Sequence, residues 1–176
     1  PDTGAMFLNG QAYAPGSALE ASEAGIGFIH QELNLFPNLT IAENIFIDGF
    51  PRRGPFLNRP AMERKTREVL HALGLDHSPW TKVERLMPGE RQMVEIARVL
   101  ASDAEILIFD EPTTSLTAKE TEKLFVLIDR LKAEGRAIVY ISHILQDVSR
   151  LCDDLAVLRD GRIMASGPCA GFTIDT

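Results

Sequence analysis

Cysteine is nearly absent from this sequence. Cys152 and Cys169 are the only two in 176 residues, and neither their number nor their placing suits a disulfide framework or a metal site. Reduced, structural thiols in a reducing compartment are the expectation. Long apolar runs are lacking too. The longest, such as Ala137 to Ile141, fall far short of the ~18 residues needed to cross a bilayer, so no part is expected to span a membrane. Basic excess is missing as well. Lys and Arg number 18 against 25 Asp and Glu, for a net charge of -7, which supplies no global drive toward nucleic acid or anionic lipid. Pro1-Asp2-Thr3-Gly4 carry neither the basic start nor the apolar core of a secretory signal, and no initiator Met precedes them. The chain reads as cut rather than begun.

The remaining composition, 45% hydrophobic and 24% charged, is that of one globular domain with a sizeable core. Ala5 to Leu8, Asn9-Gly10 and Gln11 to Ala14 read as strand, tight turn and return strand, because Asn-Gly supplies the positive φ angles of a hairpin. Gly25 to His30 suits a buried strand that runs out into a loop at Gln31. From Asn38 to about Trp80 the pattern turns helical. Thr40 and Glu43 can form a capping box, and Asn58 can cap a helix through Pro60 to Leu73 that Gly74 stops. The tip between, Phe50 to Phe56, is rich in turn formers and reads as a surface loop.

After Gly89 a helix is expected to about Ala101, followed by Ile106 to Phe109, four apolar residues suited to a strand covered on both faces. Thr117 and Glu120 form another capping box, ahead of a helix whose stripe is Leu124, Leu127, Ile128 and Leu131 and which Gly135 ends. Ala137 to Ile141 reads as the next buried strand, and Leu155 to Arg159, Asp160-Gly161 and Arg162 to Ala165 as a closing hairpin. Strands alternating with helices imply an α/β domain with a mainly parallel sheet. Three segments are expected within it: a β piece and loop strand over 1–31, a helical insert over 32–88, and the remainder over 89–176.

Ligands of open parallel sheets bind beyond the carboxyl ends of the strands, and Asp110 and Glu111 follow directly on the run Ile106 to Phe109. Adjacent carboxylates repel, so a divalent cation is their natural neutraliser, with Asp110 holding Mg2+ and Glu111 free to polarise a water. Strand-end acids are also common as plain solvated turns. Tyr140-Ile141-Ser142-His143, however, brings a histidine to the same rim, and Gln31 adds an amide able to orient a water or reach a metal. Trp80 and the phenylalanines at 36, 46, 50 and 56 read as packing of the helical insert.

Three ordered stretches carry a resemblance: Ile29-His30-Gln31-Glu32-Leu33-Asn34-Leu35, Ile106-Leu107-Ile108-Phe109-Asp110-Glu111-Pro112-Thr113, and Tyr140-Ile141-Ser142-His143. Together they resemble the ATPase subunits of ABC sugar importers, from Ala5 to Ala165. The resemblance implies that Gln31 is the Q-loop glutamine, touching nucleotide and metal. It makes Asp110 the Walker B aspartate on Mg2+, Glu111 the catalytic carboxylate and His143 the switch histidine at the γ-phosphate. It implies ATP and Mg2+ as cofactors, and as partners a membrane permease, a second ABC ATPase domain and, indirectly, a periplasmic sugar-binding protein, with the chain peripheral on the cytoplasmic face of the membrane. Leu35, Phe36 and Phe46 become candidate permease contacts, and His143 with the Ile29 to Leu35 stretch is similar to the first of two tandem domains.

The family's Leu-Ser-Gly-Gly-Gln-like signature corresponds to Leu86-Met87-Pro88-Gly89-Glu90, which makes Gly89 and Glu90 nucleotide-facing. Met87 lacks a hydroxyl and Pro88 lacks an N–H, so the phosphate contact of this helix start is expected to be weakened. No Gly-x-x-x-x-Gly-Lys-Ser/Thr loop occurs, since none of the five lysines follows a glycine. The expectation drawn from that is a P-loop-NTPase-like ABC ATPase domain truncated before its Walker A loop. Its fold is expected to be incomplete, its ATP binding poor and its activity largely absent. A non-catalytic ABC-like remnant and a non-transport ABC ATPase stand as alternatives.

Overall fold

The computed structural model describes residues 4–172. Pro1, Asp2 and Thr3, part of the stretch that lacks secretory features, and residues 173–176 at the expected domain end lie outside the described residues.

The chain opens with the expected hairpin, β1 (Met6–Leu8) against β2 (Gln11–Tyr13). Asn9 and Gly10 both have positive φ, 51° and 77°, as the two central residues of such a turn require. A short helix that the pattern reading did not find, α1 (Ala18–Glu23), follows, with Ser17 accepting from the Glu20 N–H as its cap. Next come β3 (Ile26–Ile29) and α2 (Ile41–Ile45), the latter starting at a complete Thr40/Glu43 capping box. The tip read as a loop is a two-rung hairpin, β4 (Arg52–Arg53) with β5 (Phe56–Leu57). Two pairs of residues are too few to leave an alternation visible in sequence. Helix α3 (Arg59–Ala72) starts at Asn58 and stops at Gly74, φ 63°, as expected.

A 3-10 turn over Val83–Arg85 leads into α4 (Pro88–Ala101). Then follow β6 (Ile106–Asp110), α5 (Ala118–Ala133), β7 (Ala137–Ile141) and α6 (Leu145–Leu151). The last long elements, β8 (Asp154–Arg159) and β9 (Arg162–Pro168), form the closing hairpin, and a 3-10 turn over Cys169–Gly171 ends the described chain.

Strands β3, β6 and β7 form one parallel sheet in that order. Its ladder sets Ile29, Phe109 and Tyr140 side by side, so the three chains leave the sheet at one level. Each parallel crossover is long enough to carry helices, as parallel pairing demands. One face of the sheet is the core: Ile29, Leu107 and Phe109 are fully buried among Met93, Ile96 and Ala97 of α4 and Leu124 and Ile128 of α5. Burial of each such side chain contributes roughly 1.5–3 kcal/mol. The same cluster continues through Ile41 and Ile45 of α2 and Leu70 and Leu73 at the end of α3, so sheet and insert share one core.

Two expectations need correction here. Strand β6 is not covered on both faces: Leu107 and Phe109 are buried while Ile106 and Ile108 are half-buried. Strand β7, read as buried, exposes Val139 and Ile141. Among the described residues β7 has β6 as its only strand partner, and beside it opens a groove of about 860 Å³ bounded by α6 and β8. A four- or five-residue apolar run does not report which of its faces is covered. The incomplete fold expected for the family is corrected too. The strands that lead to Gln31, Asp110 and His143 form one registered ladder, sealed on its core side by α4 and α5 and joined to the insert without a break in the buried cluster.

Candidate functional site at the carboxyl rim of the sheet

The site is built where β6 stops. Asp110 ends the strand, half-buried, and Glu111 then takes φ 47°, a left-handed conformation that is uncommon for a residue with a β-carbon. That turn lets the Glu111 N–H donate to the Ile141 carbonyl at 3.0 Å, which ties the end of β6 across to the end of β7. Its side chain lies over the start of the next loop, where Oε1 accepts from the His143 N–H at 3.0 Å and meets His143 Nδ1 at 2.8 Å. With the carboxylate accepting, the Nδ1 proton is the one donated, which leaves Nε2 free for a ligand. The other oxygen, Glu111 Oε2, is buried and has no hydrogen-bond partner among the described residues. An orphaned carboxylate oxygen at such a rim fits a water or the ligand of a cation.

Behind this pair lies a polar cluster that sequence reasoning missed. Thr113 Oγ1 donates to Asp147 Oδ2 at 3.1 Å and the Tyr140 hydroxyl donates to the same oxygen at 3.3 Å. Burial, then the Asp147 carboxylate, push the Tyr140 phenol far above its ordinary range. The cluster joins the turn after Glu111, the end of β7 and the first turn of α6, and so fixes the two chain segments that hold Glu111 and His143. Asp147 in the first turn after a strand-end histidine was the one available signal, since acids favour helix starts for their own reasons.

Gln31 leaves β3 at the same level, solvent-exposed, and no hydrogen bond joins it to Asp110 or Glu111 among the described residues. Those residues contain no cluster of three or more His, Cys, Asp or Glu placed to hold a metal ion. Asp110 and Gln31 thus leave neighbouring strand ends of the sheet with no hydrogen bond between them.

Gly89 and Glu90 sit apart from this rim, at the start of α4. Pro88 occupies the first helical position, where its fixed φ fits and its missing N–H costs nothing. Glu90 Oε2 accepts from the Met87 N–H at 2.9 Å and Oε1 meets His77 Nε2 at 2.8 Å. Burial opposes the charge of Glu90, but these two bonds outweigh it and hold its carboxyl below the ordinary value. Gly89 is buried with the Glu120 carboxylate against its Cα. The aromatic residues divide differently from expectation. Phe46 and Leu35 pack against the core, Trp80 stacks under Arg59 at 4.9 Å, and Phe36 and Phe56 are exposed. No helix among the described residues is long and apolar enough to cross a membrane.

A family model described as ABC transporter matches residues 1–114. A putative ribose/galactose/methyl galactoside import ATP-binding protein of Burkholderia cenocepacia is 47% identical over 99% of this chain, which covers 34% of that relative. An arabinose import ATP-binding protein of Rhizobium johnstonii is 46% identical over 95% of this chain, which covers 33% of it. The chain thus spans about a third of the length of these curated relatives. Among solved structures, an ATP-binding cassette of an ABC transporter superposes on 95% of the chain with a TM-score of 0.81 at 25% identity, over 70% of the cassette's own length. A cassette in a dimeric post-hydrolysis state superposes on 94% of it, with a TM-score of 0.79 and over 73% of the cassette's length; at 24% identity this speaks for the fold alone.

These matches overturn the expectations of a truncated remnant, of poor ATP binding and of a largely inactive chain. Those expectations rested on the absence of a Gly-Lys-Ser/Thr loop from the 176 residues and on Met87 and Pro88 in the signature, and where a sequence begins decides nothing about the protein. The family match takes in residues 1–114, a cassette fold superposes on 95% of the chain, and the rim pairs its carboxylate with its histidine. The chain belongs to the ABC transporter family.

Proposed function

We propose that the chain is part of an ATP-hydrolysing cassette that powers carbohydrate import through a membrane permease. The observation that carries this reading is the Glu111–His143 pair at the registered strand ends, with Glu111 Oε2 buried and unsatisfied beside Asp110. Glu111 polarises the attacking water through that free oxygen. His143 fixes the carboxylate through Nδ1 and keeps Nε2 for the γ-phosphate. Asp110 and Gln31 would hold Mg2+, which when bound neutralises charge on the β- and γ-phosphate oxygens. The start of α4, which holds Gly89 and Glu90, is the part turned to the nucleotide of a second ABC domain, and this chain corresponds to the first of two tandem domains.

The sugar-import relatives support the carbohydrate class at 46–47% identity. The exposed Phe36, next to Leu35, offers the permease an apolar contact directly after the Q-loop. A periplasmic sugar-binding protein completes the system from the far side of the membrane, and this chain works on the cytoplasmic face.

Calorimetry of Mg-ATP binding, with phosphate release followed in parallel for the wild type and Glu111→Gln, tests the reading. Retained binding with release reduced by roughly 10²–10⁴ is expected for loss of a general base. Release that is indifferent to Glu111 would refute the assigned chemistry.

A further inference from the structure

The segment from Gln31 to Phe36 contains no helix or strand, yet it is gripped by a polar side chain that the roles assigned above leave unused. Arg98 lies about two and a half turns beyond Gly89 in α4, with its side chain only 22% exposed. Its Nη1 donates to the Asn34 carbonyl at 3.1 Å, while Nε and Nη2 both donate to Asp48 Oδ2, at 3.2 and 2.8 Å. One guanidinium thus bridges three pieces of chain: the signature helix that carries it, the main chain three residues beyond Gln31, and the segment that follows α2 in the insert. Glu95 stands one helical turn back with its side chain 3% exposed and 3.9 Å from Arg98. Burial pushes its carboxyl up, against the pull of Arg98. The planar fork suits such a three-way bond, which a lysine cannot reproduce because its donors leave from one point.

From this geometry we infer that Arg98 is a positioning residue that holds the Q-loop in register with the signature helix, so that Gln31 and Gly89 move as one body. The inference deepens the ATPase reading and rests on it. A displacement of α4 is carried to Asn34 through a hydrogen bond rather than through the core. Asp48 keeps the guanidinium from swinging to solvent, and Glu95 supplies a second negative group on the buried side. Arg98 touches none of the proposed reacting atoms.

Hydrogen exchange on the full-length protein, without nucleotide, reads the latch directly. Arg98→Ala is expected to speed exchange of the amides over 32–36 by roughly tenfold while β6 and α5 keep wild-type protection. Asp48→Asn is expected to give an intermediate increase, and Arg98→Lys to restore only part of the protection. Steady-state kinetics on the same proteins is expected to show kcat reduced severalfold in Arg98→Ala with Mg-ATP binding changed less. Unchanged exchange over 32–36 in Arg98→Ala overturns the inference. So does an increase spread equally over β6 and α5, because that is the mark of a general packing role. A wild type that neither binds nor hydrolyses Mg-ATP would sink the ATPase reading instead, and the exchange data separate the two failures.

Discussion

Replacing Asn44 by alanine removes the side chain that holds the far end of the segment from Gln31 to Phe36. Asn44 is fully buried. Its Oδ1 accepts from the Phe36 N–H at 2.7 Å, and Nδ2 donates to the Phe36 carbonyl at 3.1 Å and to the Thr40 carbonyl at 3.0 Å. The partners do not suffer equally. The Thr40 carbonyl keeps the Asn44 N–H at 2.9 Å, and the Phe36 carbonyl keeps the Leu39 N–H at 3.1 Å, so only the Phe36 N–H is orphaned. Three hydrogen bonds at about 0.5–1.5 kcal/mol each, with one orphaned donor whose residue is partly open to water, give a loss of about 3 kcal/mol. For a chain of this size that is about 6–12 °C in Tm.

Asn44→Asp supplies the discriminating comparison. It retains the acceptor for Phe36 but sets a carboxylate oxygen against two carbonyls. It is expected to be worse than alanine at neutral pH and to improve as pH falls through its raised native pKa, since a buried carboxyl favours the neutral form. Urea unfolding at pH 7 and pH 5 measures both. A loss below about 1 kcal/mol for Asn44→Ala, or an aspartate variant that matches wild type at pH 7, would show that the hydrogen-bond reasoning is wrong.

Other outcomes follow from the same geometry. A β-carbon at Gly27 would collide with the Val99 side chain and press on Ala104 and Leu107, so Gly27→Ala is expected to cost about 1–3 kcal/mol in urea melts through overpacking. Gly89→Ala would drive the Glu120 carboxylate off its bonds to the Thr117 N–H and hydroxyl, at 2.8 and 2.7 Å; calorimetric melts should show about 1 kcal/mol lost with that cap. The Thr40 backbone and side-chain hydrogen bonds hold the Glu43 carboxyl below its ordinary value. Their stabilisation is present at neutral pH and lost as pH falls through the native pKa, so the Tm difference between wild type and Glu43→Gln should close below about pH 4. Tyr140→Phe removes one of two donors to Asp147 and is expected to lower hydrolysis more than Mg-ATP binding, as a kcat-against-KM split would register.

Elements whose ends carry their own chemistry were legible in the sequence. The Thr40/Glu43 and Thr117/Glu120 boxes, the Asn58 cap with Gly74, and the Asn9-Gly10 turn all stand where local residue choice put them. The rim residues were legible because a run of apolar residues stops at Asp110 and another ends at Ser142-His143. What stayed hidden depends on partners far along the chain. Arg98 reaches Asp48 across 50 positions, and Thr113 reaches Asp147 across 34; no local pattern marks such pairs. The three elements α1, β4 and β5 were too short for a period to show, and the exposed side of β7 is a property of its neighbours rather than of Ala137 to Ile141.

The left-handed backbone of Glu111 has a consequence for how this domain can drift under selection. Conformational strain of roughly 1–2 kcal/mol sits at the residue proposed to carry hydrolysis, and glycine or asparagine would relieve it without disturbing the turn to Ile141. That relief is set against the two bonds from Oε1 to His143 that the substitution removes, so a screen for thermal tolerance alone returns position 111 only where loss of the buried, unpaired Oε2 tips the balance, and each such winner would carry an idle rim. Heat resistance and turnover compete there for one residue, so stabilised versions of this cassette have to draw their gains from elsewhere in the chain.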